Sequence, residues 1–198
     1  MKRLLTGLAA LVALGALVSG QAANDTSIER PFAEGGAVRL VLSSGDYTLR
    51  AGAGDRLVVR WGAHDEARLE DLKELSVDVH VSGTIATILT DGSAKHAHFT
   101  IEMPARTDLR LRMRAGEVRI DGIEGHKDVR MTAGDLTIGV RPASMARAHA
   151  SVTFGDLQAR PLGISKSGIK RSLDWTGAGR YALDARLGAG ELTLAHQR

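Results

Sequence analysis

The chain has 198 residues, of which 43% are hydrophobic and only 4% aromatic, and it contains no cysteine. The lack of cysteine excludes disulfide bonds and thiol catalysis, so stability has to come from core burial and backbone pairing. Removing the first 22 residues would lower the basic residues from 26 to 24 against 23 acidic ones. This near-neutral charge and the scarcity of aromatic residues argue against nucleic-acid binding.

Residues 1–22 are predicted to be a secretory signal peptide. A cationic start, Met1-Lys2-Arg3, precedes an uncharged apolar run over residues 4–18, and small residues follow at 20–23. The apolar run is too short for a membrane anchor, and polar chain follows it. We therefore expect an exported protein, periplasmic or extracellular, with no transmembrane anchor after cleavage. Residues 23–34 would be a polar N-terminal segment and residues 35–198 a single β-repeat domain.

Five copies of a glycine-acid dipeptide organise the remaining chain. Each copy has an alternating apolar run, the dipeptide, and then apolar-x-apolar, as in VRMTAGDLTI over residues 129–138. Alternation with a period of two is typical of a half-buried strand, and the phase slip at each glycine indicates a bend. The predicted corners are Gly45-Asp46, Gly116-Glu117, Gly134-Asp135, Gly155-Asp156 and Gly190-Glu191.

Two all-β architectures fit this slip. In a β-solenoid, or β-helix-like repeat domain, the dipeptide is a corner between two faces of one coil. In an antiparallel β-sandwich or meander it is a two-residue hairpin turn. The spacings from Gly116 to Gly134 and from Gly134 to Gly155 are 18 and 21 residues, close to the ~20–50-residue period of stacked repeats. Because a long arm precedes each glycine and a short one follows, the solenoid is favoured.

One segment departs from the β pattern. Ala67, Leu69, Leu72 and Leu75 recur near helical spacing between acidic residues. They predict one short amphipathic helix near residues 65–75, which would cover an edge or an open end of the β-structure.

Basic residues give the main candidate binding site. Arg110, Arg112 and Arg114 alternate on the outward face of one predicted strand, and Arg130 and Arg186 share the repeat position of Arg112. With the basic segment that contains Lys166, Lys170 and Arg171, they would form a patch for anionic glycans or lipid headgroups. An ordinary charged outer face, paired with nearby acids, is the favoured alternative.

The five corner carboxylates raise the question of metal binding. Stacked strands would place them in a ladder able to offer oxygen ligands to Ca²⁺. The denser Gly-x-Asp spacing of calcium solenoids is missing, so solvated turn acids are favoured. We predict no metal and no cofactor.

Enzymatic motifs are missing from the sequence. It has no Gly-x-Ser-x-Gly, no phosphate-binding loop and no His-Glu-x-x-His, which are the signatures of several hydrolytic and nucleotide-dependent sites. Some β-helices are carbohydrate-active enzymes with clustered carboxylates, but the short loops here favour a non-catalytic module. A small β-helix carbohydrate-active enzyme remains the alternative.

The chain resembles a family of secreted bacterial β-strand-repeat domains of unknown function, the "putative adhesin" family, which is related to the toast-rack domains. The resemblance rests on the signal peptide, the glycine-acid corners, the strand-proline step at residues 99–104 and the ending at residues 179–194. It covers residues 30–195 and brings no catalytic residues. It implies a repetitive β-fold outside the cytoplasm that is adhesin-like or connected with envelope stress.

The expected partner is an unknown envelope protein or glycan. The module would either bind such a component or serve as a structural piece of the envelope. Homo-oligomerisation through a sheet edge or a solenoid end stays open.

Overall fold

The computed structural model describes residues 26–63, 72–92 and 97–197. Within these ranges, twelve β-strands form one mixed sheet, so the all-β prediction is confirmed. The predicted signal peptide at residues 1–22 and most of the predicted helix near residues 65–75 lie outside the described residues. Residues 72–74 form a single 3-10 turn.

The strands fall into short and long groups, and two further 3-10 turns, at Pro142–Ser144 and Arg160–Leu162, lie between long strands. In chain order the strands are β1 (Thr26–Pro31), β2 (Ala37–Leu42), β3 (Gly45–Ala51), β4 (Arg56–Ala63), β5 (Ser76–Ser82), β6 (Ile85–Asp91), β7 (Ala97–Met103), β8 (Asp108–Asp121), β9 (Lys127–Val140), β10 (Met145–Ala159), β11 (Ile164–Thr176) and β12 (Tyr181–His196).

The centre of the sheet is a set of parallel strands whose repeats are in register. β8, β9, β12 and β10 follow one another in that order. The two short strands β2 and β3 together take the place of one more long strand. β2 pairs with the first half of β8, and β3 pairs with the second half. We call the part of each repeat before its corner glycine the first arm and the part after it the second arm. The first arm is continued on one side by β6 and the second by β7.

The central strands pair in parallel and in register, whereas antiparallel pairs lie toward the ends of the sheet. There, β11 pairs antiparallel with β10, and β1, β4 and β5 also pair antiparallel. The stacking order differs from a simple solenoid because β12, the last strand, lies between β9 and β10. A reversal at Gly163 (φ 72°) makes β11 a hairpin partner of β10, and this leaves the other edge of β10 for β12.

Apolar side chains from both arms fill one core. Val129 in the first arm of β9 and Leu136 in its second arm are both fully buried. Each such side chain contributes ~1.5–3 kcal/mol relative to exposure. At the β3 end, the Tyr47 ring stacks on Phe99 with 4.3 Å between ring centroids. The Tyr47 hydroxyl is 2.9 Å from the Thr90 Oγ1, so this buried polar group is paired.

At four of the five corners, Gly116, Gly134, Gly155 and Gly190, glycine is required for two separate reasons, whereas Gly45 is not among the glycines with positive φ. Gly134 has a φ of +111°, which other residues rarely adopt. A Cβ built there would also lie 2.0 Å from the carbonyl oxygen of Gly116 in the neighbouring strand. The same collision would occur at Gly190, where the distance to the Gly134 oxygen would be 1.9 Å. The corner glycines therefore form a ladder in which each backbone closes directly on the next.

Candidate functional site

The outward side chains of the first arm form a charged surface, which we call the first-arm face. Strand pairing fixes its composition because residues at the same repeat position lie side by side, ~4.8 Å apart across the sheet. The row four residues before the corner glycine contains three adjacent arginines, Arg112, Arg130 and Arg186. The row six residues before it runs across the sheet as Arg39, Arg110, Asp128, Asp184, His149 and Asp174.

Asp128 is the centre of this face. Its carboxylate oxygens accept from Arg112 at 2.8 and 3.3 Å. Arg130 and Arg110 lie 3.4 and 3.5 Å from the same carboxylate. The hydrogen bond from Arg112 is the main cause that holds the pKa of Asp128 below its ordinary value. Three guanidinium groups thus share a single negative charge.

The neighbouring strands add two more pairs. Arg186 donates to both oxygens of Asp184 at 2.8 and 2.9 Å, and this hydrogen bonding lowers the pKa of that carboxyl. His149 is hydrogen-bonded through Nδ1 to Asp174 at 2.7 Å. Both interactions lie at the surface, so they organise the face more than they stabilise the fold.

A groove of about 730 Å³ runs along this row. Its cationic lining includes Arg39 and Arg147, which are exposed. Within residues 26–63, 72–92 and 97–197, neither of these two arginines has an ion pair. Because guanidinium groups carry five donors in a planar fork, both are available to an anionic ligand.

A lysine closes the floor of the groove at one end. Lys127 occupies an inward position beside Leu109 and Leu183, and its Nζ donates to the Gly125 carbonyl at 3.3 Å. Burial lowers the pKa of Lys127 to about 8, although Glu124 and Asp108 act in the opposite direction. This lysine carries a desolvation cost that the surface arginines avoid.

The predicted basic patch is divided in the structure. Arg110, Arg112 and Arg130 come together around Asp128, and Arg114 is exposed on the same strand as the first two. The other predicted members, Lys166, Lys170 and Arg171, are on β11. Three strands, β9, β12 and β10, separate β11 from β8.

The arginines around Asp128 and the basic residues of β11 also lie on different sides of the sheet. Lys166 and Arg171 pair with the buried residues Leu157 and Val152, so their side chains follow the inward side of the sheet beyond the last repeat. Lys166 donates to the Ser172 carbonyl at 2.7 Å, and Arg171 to the Ser167 carbonyl at 2.7 Å. The β11 cations therefore belong to the end of the sheet and not to the first-arm face.

The corner carboxylates form the ladder that the repeat predicts. In order across the sheet they are Asp46, Glu117, Asp135, Glu191 and Asp156. Glu117 and Glu191 contact neighbouring polar side chains. Arg119 lies 3.6 Å from Glu117, and Gln158 and Thr193 donate to Glu191 at 3.1 and 2.9 Å. In the part of the chain that the structure describes, no group of three or more His, Asp or Glu side chains is arranged to hold a metal ion.

Sequence reasoning missed Arg39, Arg147, His149 and Asp184 as members of one surface. For Arg39, His149 and Asp184 the signal was present, because each lies six residues before a corner glycine. Arg147 lies eight residues before Gly155, so the same alternation places it on this face next to the row of His149.

Fold and surface together define an all-β repeat fold with a charged outer face. The described residues include no helix long and apolar enough to cross a bilayer. No protein-family model and no curated protein matches the chain. Solved structures do match it, and the resemblance to the "putative adhesin" domains is confirmed at the level of the fold.

The chain is similar to a "putative cell adhesion protein" from Clostridium sporogenes. The two share 12% identity with a TM-score of 0.54, and the match covers 88% of this chain and 100% of that one. A "putative adhesin" from Bacteroides fragilis matches at 10% identity over 87% of this chain and 97% of that one, with a TM-score of 0.29. At such identities the Clostridium match shows a shared fold and no more.

Proposed function

We propose that this protein is a non-catalytic, exported, adhesin-like module that binds an acidic glycan of the cell envelope through its first-arm face. The observation that carries the proposal is that, within the described ranges, two of the four arginines in the groove lining have no carboxylate partner, although four aspartates also line it. Three arginines share Asp128, while Arg39 and Arg147 have no ion pair among the described residues. Export is supported by the signal-peptide pattern of residues 1–22.

The scaffold suits recognition of an extended polymer. The arginines stand on strands whose backbone is fixed by pairing on both sides, so their spacing is set before any ligand binds. Pre-organised donors of this kind lose little entropy on binding. The groove lining takes residues from six neighbouring strands, β2, β8, β9, β12, β10 and β11, which suits a chain-like ligand better than a small compact one.

Charge also supports a binding role over catalysis. A glycosidase needs one carboxylic acid with a raised pKa as its general acid. In the groove, arginines instead lower the pKa of Asp128 and Asp184, so both carboxyls stay ionised at neutral pH. Ionised carboxylates that are already paired serve to orient arginines and not to transfer protons.

Binding to heparin, with uncharged dextran as the control polymer, tests the proposal. The double variant Arg39→Gln, Arg147→Gln should weaken heparin binding about tenfold or more, since charge-assisted contacts are each worth ~1.5–3 kcal/mol. The matched control is Arg119→Gln, which removes an exposed arginine from the second arm. This variant should bind heparin as the unmodified protein does.

Two outcomes would contradict the proposal. One is a lack of heparin binding at low salt, and the other is an equal loss of affinity in the double variant and in Arg119→Gln. Turnover of any polysaccharide by the purified protein would replace the binding role with an enzymatic one.

A further inference from the structure

The end of the sheet at β11 has an edge without a partner strand in the part of the chain that is described. β11 (Ile164–Thr176) is 13 residues long and pairs with β10 alone. Such an edge presents backbone donors and acceptors that no described strand pairs, although the Ser172 and Ser167 carbonyls accept from the side chains of Lys166 and Arg171. Short strands or covering loops usually hide edges of this kind, and β11 is among the long strands of the sheet.

Two large apolar side chains mark the middle of this edge. Ile169 is 63% exposed and Phe154, its direct partner on β10, is 57% exposed. They are the most exposed large hydrophobic side chains in the described ranges. On the next strands of the sheet the same row contains the small residues Ala189, Ala133 and Ala115. Large side chains therefore occupy this row only at the end of the sheet.

The strand bends in the middle, and this bend restricts what can pair with it. Gly168 has a φ of +116°, and Lys170, the one non-glycine residue with positive φ among those described, has a φ of +52°. Positive φ on both sides of Ile169 makes the corner of β11 nearly symmetric about that residue. A straight strand could pair with only one of its two arms. A strand with the same corner can pair with both, and β11 of a second copy has that corner.

We propose that two copies of this chain associate through antiparallel pairing of their β11 strands, with the two-fold axis at Ile169. The axis lies along the bisector of the corner, so each arm of one copy continues the opposite arm of the other. Ile169 then faces the partner's Ile169, with a Phe154 beside each of them. The two most exposed apolar residues of the described chain become one shared cluster.

Charges agree with this register. Counting outward from Ile169, Lys166 faces the partner's Ser172, Ser167 faces the partner's Arg171 and Gly168 faces the partner's Lys170. No cation lies directly opposite another, which would be unfavourable in a strand pair. The basic side chains of both edges nevertheless converge, so added salt should strengthen the dimer by screening them. Association driven by opposite charges would respond to salt in the reverse direction.

The first test is the concentration dependence of the molecular mass of the purified protein, measured by analytical ultracentrifugation at low and high salt. We expect a monomer–dimer equilibrium that shifts toward dimer at high salt. The variant Ile169→Lys should weaken dimerisation about tenfold or more, because it loses apolar burial and adds like charges at the axis. Leu89→Lys, which changes an exposed leucine on β6, is the matched control and should dimerise normally.

A single cysteine gives the second test, since the chain has none of its own. Only a residue on the two-fold axis faces its own copy, at a Cα distance that a disulfide can bridge. Ile169→Cys should therefore form intermolecular disulfides quickly, whereas Leu89→Cys and Ser172→Cys should form them slowly. A monomer at every concentration, a dimer that persists in Ile169→Lys, or equal crosslinking by the three cysteine variants would overturn the proposal. The result would then assign the β11 cations the role of guarding a bare edge.

Discussion

Replacing Gly134 with alanine tests the account of the corner ladder. The variant faces two costs, because Gly134 has a φ of +111° and an added Cβ would lie 2.0 Å from the Gly116 oxygen. A residue held in a disfavoured backbone region costs ~1–3 kcal/mol. Forcing extra volume into a packed site costs a further ~1–3 kcal/mol. We therefore expect Gly134→Ala to lower the free energy of unfolding by roughly 2–6 kcal/mol, a large part of the ~5–15 kcal/mol of a typical domain.

Two other glycines separate these costs. Gly54 has a φ of +76° but no atom within 4 Å of an added Cβ, so Gly54→Ala carries only the backbone cost. Gly125 lies outside the left-handed region, yet its Cβ would approach the Thr107 oxygen to 2.1 Å, so Gly125→Ala carries only the packing cost. The loss for Gly134→Ala should approach the sum of the losses for the two controls.

Urea unfolding followed by far-ultraviolet circular dichroism gives the three free energies under one set of conditions. If Gly134→Ala loses no more stability than Gly54→Ala, the predicted collision between the added Cβ and the Gly116 oxygen is refuted. That result would mean that neighbouring strands separate at the corner without cost, and the ladder would not be a close-packed feature.

Three further predictions concern single side chains. Lys127→Met should raise the free energy of unfolding near neutral pH by about 1–2 kcal/mol, because it removes a charge with a desolvation cost. In the unmodified protein the pKa of Lys127 is about 8 against 10.5 when unfolded. Between these values the unfolded state binds more protons, so stability should rise with pH across this window, and urea titrations should show that the variant lacks the rise. Asp128→Asn should remove part of the acid-induced loss of stability. In the folded protein the pKa of Asp128 lies below its ordinary value of 3.8, so the ionised carboxylate stabilises the fold above that value. This contribution is lost as the pH falls through the pKa that Asp128 has in the folded state. Tyr47→Phe should cost about 1 kcal/mol in thermal or urea unfolding, since it removes the hydroxyl bonded to Thr90 and keeps the stacked ring on Phe99.

Local sequence patterns predict much of the fold. Period-two alternation placed Val129 and Leu136 in the core on either side of a bend, and the structure buries both and puts positive φ at Gly134. These features depend only on near neighbours in sequence, namely on strand geometry and on the conformational freedom of glycine. The all-β class follows from them directly.

The order of the strands could not be predicted in this way. Every repeat has nearly the same apolar pattern, so any one of them fits beside any other, and no local signal indicates that β12 enters between β9 and β10. The division of the basic patch has the same origin. The sequence predicts that Arg112 and Lys166 are both exposed charged residues. Which strands lie next to theirs, and which side of the sheet each side chain faces, depends on the tertiary structure.

The late insertion of β12 has a consequence for biosynthesis. In the sheet, β9 and β10 are separated by Tyr181–His196, which pairs with both and is made after both. Until that segment is made, the edges of β9 and β10 that it occupies in the sheet have no partner strand. Assembly should therefore be slow, as is usual when distant segments must meet. The hydrogen-bond network of the sheet is therefore complete only after Tyr181–His196 has paired with both β9 and β10.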